Sequence, residues 1–493
     1  MKRLIISLLF VTVSYATVIN VPADYSTIQG GIDAASDNDT VLVAAGTYIE
    51  NLIWENKNIS IISVAGPENT IIDGNASADT LGPVCTVSNV NFNGDDVYDV
   101  MDGFTLKNGK GSDYVSAGGL KINYSSVTFK NLIIKENQSS EISVYSGAIV
   151  FGGSPRFINC SVVGNNDVGL MVSGYQSKPY FNNVIFSDHD SSSAIMVYDS
   201  GIEMDSCQII HNDGGGLRYT GVGFNGSIIT NTLFAFNGSS DSGIGALSVV
   251  NSGQELVLDH CTFYGNSKEQ QFGEDLYSNG TSWNDYQGNN IHVSNTIFVN
   301  HSDSENASIY VERNEYLDTL QFSNCLFSYE DFVGANDATN HYVFTDNYYN
   351  ENPEFCDIYS NDFTLAENSP AVGAGDGGSN IGAFGVGCTE ALSLIGTLPI
   401  PSEYNLMQNY PNPFNPVTTL HYNLPENSYV NVTVYDMLGR EVKTLVNGTQ
   451  EAGLKSIVWD AINDKGNPVS AGVYLYQIQA GEFIQTRKMV LLK

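Results

Sequence analysis

Asp188-His189-Asp190 sets a proton acceptor between two carboxylates, the arrangement that a general base with orienting groups requires. Its place in the chain favours a plainer role. His189 occupies a recurring position held elsewhere by Asn137, Asn165, Asn212, Asn237 and Asn266, which makes it a polar turn residue. The acidic turns Asp73-Gly-Asn and Asp376-Gly-Gly offer oxygen ligands that could hold Ca²⁺, although no complete EF-hand or nonapeptide calcium repeat is present. Tyr175, Tyr198 and Tyr310 could stack on sugar rings, and aromatic residues are equally at home on strand surfaces. Glycoside hydrolysis needs two carboxylates about 5 to 9.5 Å apart, and no such pair stands out.

The elements that carry these residues repeat. FKNLIIKEN, FINCSVVGN, FNNVIFSDH, MDSCQIIHN, IITNTLFAFN, LDHCTFYGN, VSNTIFVNH and FSNCLFSYE are versions of one block. They align on Asn131, Asn159, Asn183, Ser206, Asn231, His260, Asn295 and Asn324, at spacings of 28, 24, 23, 25, 29, 35 and 29. Gly103 is a possible ninth anchor. The residue two before each anchor is apolar, as is the residue three after. Inward positions on a strand recur every two residues, so this change of parity requires the chain to bend at the anchor. Asn tolerates the left-handed conformation of such a bend.

A further short strand follows most blocks: GLKI, AIVF, GLMV, AIMV, GLRY, ALSV and SIYV. Coils of ~25 residues built from short strands predict a parallel β-solenoid. Residues 17–390 would supply at most about fifteen coils and a body up to about 70 Å long. The outward stripe of the further strand reads Lys121, Val150, Met171, Met196, Arg218, Ser248 and Tyr310, without a carboxylate. Two positions on, it reads Asn123, Gly152, Ser173, Tyr198, Thr220, Val250 and Glu312. Glu269–Asn290 reads as an insertion that could hold a site in its loops. At the start, Ser26-Thr-Ile-Gln29 suggests a capping box, with Ile28, Ile32 and Ala35 on one face of a helix that covers the open end.

The chain has 493 residues, 20 basic and 54 acidic, for a formal net charge of −34. That excludes nucleic-acid binding driven by phosphate neutralisation and disfavours an anionic membrane surface. Hydrophobic content of 42% excludes a disordered acidic chain. Lys2 and Arg3, then the apolar run Leu4 to Val13 and Ser14-Tyr15-Ala16, read as a signal peptide cut between Ala16 and Thr17. No later segment has the ~18 apolar residues of a membrane helix, so no transmembrane segment is expected in the mature chain.

Cys160, Cys207, Cys261 and Cys325 share a repeat position in alternate coils, about 9.6 Å apart along the axis. A disulfide needs Cα atoms within ~7 Å, so these four should be free and buried. Cys356 and Cys388 flank the last irregular stretch, and an exported setting would allow them to pair. Short β runs punctuated by Gly439, Gly448, Gly466 and Gly472 in 402–493 predict an Ig-like sandwich with Tyr435 and Trp459 in its core. The organisation is thus 1–16 signal peptide, 17–390 β-helix, 391–401 linker and 402–493 sandwich. The sandwich carries 7 basic and 8 acidic residues, so nearly all the excess acid belongs to the body.

These features resemble two families. The entry segment resembles the start of right-handed parallel β-helix proteins of the pectin-lyase-like superfamily. Gly46-Thr-Tyr48-Ile-Glu50 is similar to the G-x-Y-x-E start of pectin methylesterases. The Gln-Asp and Asp-Phe-Ile-Phe-Gly blocks of the esterases are missing, and Gly94-Asp95-Asp96 resembles one polygalacturonase fragment without its companions. The superfamily includes enzymes and adhesins, and in its lyases Arg218 would be the candidate base. The tail resembles the type A C-terminal sorting domain of type IX secretion in Bacteroidota. The residues that carry this are Asn409-Tyr-Pro-Asn-Pro-Phe-Asn-Pro416, Val434-Tyr-Asp-Met-Leu-Gly-Arg440, Trp459-Asp460, Ser470-Ala-Gly-Val-Tyr474 and Lys488-Met-Val-Leu-Leu-Lys493. The resemblance implies the type IX machinery as partner and a secreted or outer-membrane-attached location in a Gram-negative bacterium. The expected function is binding of a polysaccharide or other surface ligand; the alternative is a polysaccharide lyase or glycoside hydrolase.

Overall fold

The computed structural model describes residues 16–75, 81–91, 99–111, 117–139, 145–174, 177–189, 192–220, 226–238, 245–250, 255–266, 274–279, 288–299, 308–311, 318–328, 333–334, 341–391, 404–406, 409, 414, 416, 418–450, 453–481 and 483–492. Tyr175, Asp190, Glu312, Gly94-Asp95-Asp96 and 392–403 lie outside them. Two compact units emerge, one of residues up to Pro353 with Phe363–Thr389, the other of Glu354–Asp362 with Glu390–Lys493.

The first unit is a parallel β-helix with three long sheets of 13, 12 and 11 strands. Sheet 1 runs from Val18–Val21 to His341–Thr345, sheet 2 from Gly46–Ile49 to Tyr348–Tyr349, and sheet 3 from Leu52–Glu55 to Val333–Gly334. The winding is right-handed, the hand that parallel crossovers take. Each repeated block supplies a strand of sheet 1 and a strand of sheet 2, and the further strand joins sheet 3.

The bend between sheets 1 and 2 falls on the anchors. All eight have positive φ, from 47° at Asn295 to 56° at Ser206, and Gly103 bends likewise at 86°. Residues on both sides turn inward into one continuous core from Val21 to Phe327. Stacked rings run along it: Phe129, Phe157 and Phe181 at 5.0 and 5.2 Å, then Phe234, Phe263, Phe298 and Phe327 at 4.7, 4.8 and 5.2 Å. These spacings match the inter-strand repeat.

After sheet 2 a second ladder closes the coil. Asn137, Asn165, Asn212, Asn237 and Asn266 are all buried. Asn212 Nδ2 donates to Asn237 Oδ1 at 2.9 Å, and Asn237 Nδ2 donates to Asn266 Oδ1 at 3.0 Å. The same amides satisfy buried backbone, Asn212 Nδ2 donating to Phe186 O at 3.1 Å and Asn237 Nδ2 to Ile209 O at 2.8 Å. Where sheet 3 begins, small residues are obligatory. A Cβ on Gly147 would stand 2.1 Å from Gly169 O, and one on Gly119 would stand 2.4 Å from Gly147 O.

The thirteen strands of sheet 1 make a body of about 58 Å, within the expected limit of about 70 Å. Leu365 and Ala366 pair in parallel with Val386 and Cys388, while the intervening loop folds back onto Thr262 and Asn295. Within Glu269–Asn290, Leu276–Asn279 is a regular strand of sheet 3, while 269–273 and 280–287 lie outside the described residues. The N-cap of the entry helix Ile28–Ala34 is Thr27, not Ser26. Glu50 caps the same helix, accepting from the N–H groups of Ile28 at 2.8 Å and Gln29 at 2.9 Å. Ile28, Ile32 and Ala35 are buried as their spacing requires.

The second unit holds antiparallel sheets of three and four strands. Trp459, Tyr422 and Tyr476 lie fully buried between Val430, Val432, Val434 and Ile478. Tyr435 is half-buried and outside this core, because strand alternation turns it away from the Val430, Val432 and Val434 face. No helix among the described residues is long and apolar enough to cross a membrane.

Candidate functional site

Sheet 3 carries an outward face that brings aromatic, cationic and amide groups into register. Its central row runs Thr86, Lys121, Ile149, Met171, Met196, Arg218, Ser248, Tyr277 and Tyr310. Ile149 replaces the expected Val150, which points into the core. The strand starts earlier than its apolar tetrad, at Tyr145, and its register shifts between Tyr145 and Ala148. The next outward row runs Ser88, Asn123, Phe151, Ser173, Tyr198, Thr220, Val250 and Asn279, so Gly152 drops out of it.

The two ends of the face differ. Ile149 and Met171 are 2% and 7% exposed, packed with Ala117, Tyr145 and Met196 into a small core on the outside of the sheet. Further along, Tyr198 is 47% exposed, while Tyr277 and Tyr310 stack at 6.2 Å with their planes 5° apart. Tyr277 was concealed in sequence by the polar residues around it. Arg218 is half-buried between Met196 and Ser248, and its buried Nε has no hydrogen-bond partner among the described residues. From the row of Tyr198 to that of Tyr277 is three coils, about 14 Å.

The other candidates are differently employed. His189 is fully buried, with Nε2 3.2 Å from Val162 O and Nδ1 3.3 Å from Asn165 O, and burial lowers its pKa to about 4. Asp188 turns instead to Ser187 Oγ at 2.6 Å. Asp73 accepts from Asn75 N–H and Asn108 Nδ2, both at 2.9 Å, and faces Lys107 at 3.9 Å. No group of three or more metal-ligating side chains occurs among the described residues. Cys85, Cys160, Cys207, Cys261 and Cys325 are free and buried, and desolvation pushes the thiols up to about 12. Cys356 and Cys388 are disulfide-bonded. Ala16 is exposed, and Thr17 N–H donates to Asp39 at 2.7 Å. A groove of about 490 Å³ on the bend side is lined by Asp102, Asn131, Asn159, Ser63 and Ser161, and Asp102 is held there by Asn131 at 2.7 Å.

Residues 416–482 match the FlgD Ig-like domain family. No curated protein matches the chain. Among solved structures, the chain is similar to PorZ, a surface component of the type-IX secretion system of Porphyromonas gingivalis, at 21% identity and TM-score 0.15. That likeness covers 19% of this chain and 12% of PorZ. It is also similar to pectin methylesterase from carrot, at 12% identity and TM-score 0.28, over 68% of this chain and 83% of that one. A third is tailspike protein 2 of Escherichia coli O157:H7 bacteriophage CAB120, at 10% identity and TM-score 0.33, over 97% of this chain and 68% of that one. At these scores the functional argument rests on the chain's own residues.

Proposed function

We propose that this is an exported β-helix protein that binds an extended polysaccharide along the outer face of sheet 3. The carrying observation is the row itself, in which half-buried Arg218 leads on to the Tyr277–Tyr310 stack with no carboxylate. Flat sugar faces suit the tyrosines, and hydroxyl or carboxylate oxygens suit the guanidinium. Acid–base cleavage finds no carboxylate pair in this row.

Export would use the signal peptide ending at Ala16, and the Ig-like unit would serve as a type IX sorting signal. The sequence blocks behind that idea have structural roles here. Asn409 N–H donates to Tyr476 OH at 2.7 Å, and Phe414 packs on Trp459 with ring centres 5.6 Å apart. Asp436 closes the turn before Arg440, accepting from Arg440 Nε at 2.7 Å. A reporter fused to 391–493 should reach the surface or medium only in cells with intact type IX machinery.

The binding test presents the full chain to marine and plant polysaccharides, with Ca²⁺ and with EDTA. Bound protein and new reducing or unsaturated ends are recorded together. Binding without new ends supports the proposal, and its loss in EDTA would make a divalent cation the bridge between glycan and acidic body. Arg218→Ala should weaken it more than about tenfold. New ends would replace binding by lyase or hydrolase chemistry, with Arg218 as the first residue to test.

A further inference from the structure

His260 is the anchor at which the repeat changes chemistry. Six of the eight anchors are Asn and one is Ser, yet His260 takes the same left-handed bend at φ 51°. Its Nδ1 lies 2.9 Å from Asp259 Oδ2, and its Nε2 lies 3.1 Å from Ser379 Oγ. Ser379 is 119 residues away in sequence and arrives on the loop that folds back from the end of the β-helix.

That loop is tied to the same place. Asn295 Nδ2 donates to Asp259 Oδ1 at 2.8 Å, and Asn295 Oδ1 accepts from Asp376 N–H at 2.8 Å. Gly382 N–H donates to Asn295 O at 2.8 Å, and Ala383 N–H donates to Thr262 Oγ1 at 2.9 Å. Gly375 leaves room for the serine, since a Cβ there would stand 2.5 Å from Ser379 Oγ.

The hydrogen bonds assign protons. Burial works against charge on Asp259, but Ser294, Asn295 and His260 donate to it and hold its carboxyl below the usual range. An ionised carboxylate only accepts, so neutral His260 carries its proton on Nδ1. Nε2 is then bare and accepts from the Ser379 hydroxyl. These are the three roles of nucleophile, base and orienting carboxylate that define a serine-hydrolase triad by geometry.

We propose that Ser379, His260 and Asp259 form an acyl-transfer site that hydrolyses small O-acyl esters, acetyl esters first among them. Ser379 Oγ attacks the ester carbonyl carbon while its proton passes to His260 Nε2. The tetrahedral intermediate collapses, the alkoxy C–O bond breaks, and the alcohol leaves with that proton. Water then attacks the acyl-serine, His260 takes its proton, and a carboxylic acid is released as Ser379 recovers its hydrogen. In the Asp376–Asn380 turn the N–H groups of Asp376, Gly378 and Ser379 already donate to Asn295 Oδ1, Gly375 O and Asp376 O, so stabilisation of the oxyanion falls to those of Gly377 and Asn380. The side chains of Asp259 and His260 are 32% and 26% exposed, and open space surrounds Gly377 and Gly378. A shallow, solvent-open notch fits a short acyl group on a larger alcohol. The inference is independent of glycan binding on sheet 3.

The test treats the full chain with a fluorophosphonate probe, which loses fluoride as the serine oxygen bonds to phosphorus. Intact mass and peptide mapping should find one adduct, at Ser379. Ser379→Ala should abolish it. His260→Asn restores the residue most common at this bend and should fold, yet label more slowly by about three orders of magnitude. Hydrolysis of 4-nitrophenyl acetate, and acetate release from an O-acetylated glycan, should fall in parallel. No adduct under conditions that label a known serine hydrolase, or unchanged labelling of Ser379→Ala, would overturn the proposal. Should His260→Asn misfold, Ser379→Ala, which removes one side-chain oxygen at a half-exposed loop position, still decides.

Discussion

His189 is where a single side chain in the buried Asn ladder acquires a pH dependence. Its pKa of about 4 in the fold lies below the ordinary ~6.5 of an unfolded chain. The unfolded state therefore binds the extra proton first, and stability present above pH ~6.5 is lost as pH falls towards 4. The loss is of order 3 kcal/mol. His189→Asn should remove it, so denaturant melts of the variant should flatten between pH 7 and 4.5. Asp275 works in the opposite sense. Burial raises its carboxyl to about 7, against hydrogen bonds from Ser308 and Asn266. Stability then declines as pH rises from ~4 through 7, and Asp275→Asn should raise the melting temperature at pH 8 while changing little at pH 4. A variant that behaved alike at both pH values would deny that Asp275 is the source. The sequence revealed His189 as a ladder residue because its neighbours in the repeat are Asn. It gave no sign of Asp275, whose burial depends on packing against Ser308 in the next coil.

Among elements, the bend and the sheet 3 entry set the strictest local rules. Asn183 sits at φ 53° with its side chain exposed to one neighbour, Asn159. Asn183→Gly should be close to neutral, whereas Asn183→Val should cost about 2 kcal/mol, because a β-branched side chain in left-handed backbone is strained. Urea melts of the pair would separate bend conformation from the lost amide contact. Gly147→Ala is a sterner change, because its Cβ meets a backbone carbonyl that cannot step aside. The bends were legible because inward parity switches at each anchor. The register of sheet 3 was less so. Gly147 and Ala148 are both small, and choosing Ala148 as the opening residue moved Val150 outward in place of Ile149. The strand Leu276–Asn279 was missed because one leucine among polar residues gives no alternation to read.

At the scale of the molecule, chain reversal is what sequence could not disclose. Coil spacing predicts neighbours about 25 residues apart, whereas His260 and Ser379 meet through a loop that leaves the repeat. The coils themselves are interchangeable. Residues 159–182 contribute one strand to each sheet: Ser161–Val163, Val168–Ser173 and Tyr180–Asn182. Deleting them joins Ile158 to Asn183 and preserves the bend and the small residue that opens sheet 3, with the loss of Phe181 from its stack. The shortened chain should fold cooperatively, as repeat proteins do. A twelve-residue deletion beginning at the same place should not. Circular dichroism and a denaturant melt would distinguish the two.

The regular bend has a further consequence for the gene. Insertion or loss of one whole turn of the helix changes the length of the β-helix by ~4.8 Å and alters nothing else in its register. Recombination between copies could therefore lengthen or shorten it in fixed increments, as notches lengthen a rule. The separation of any two outward side chains along it would be inherited as an integer.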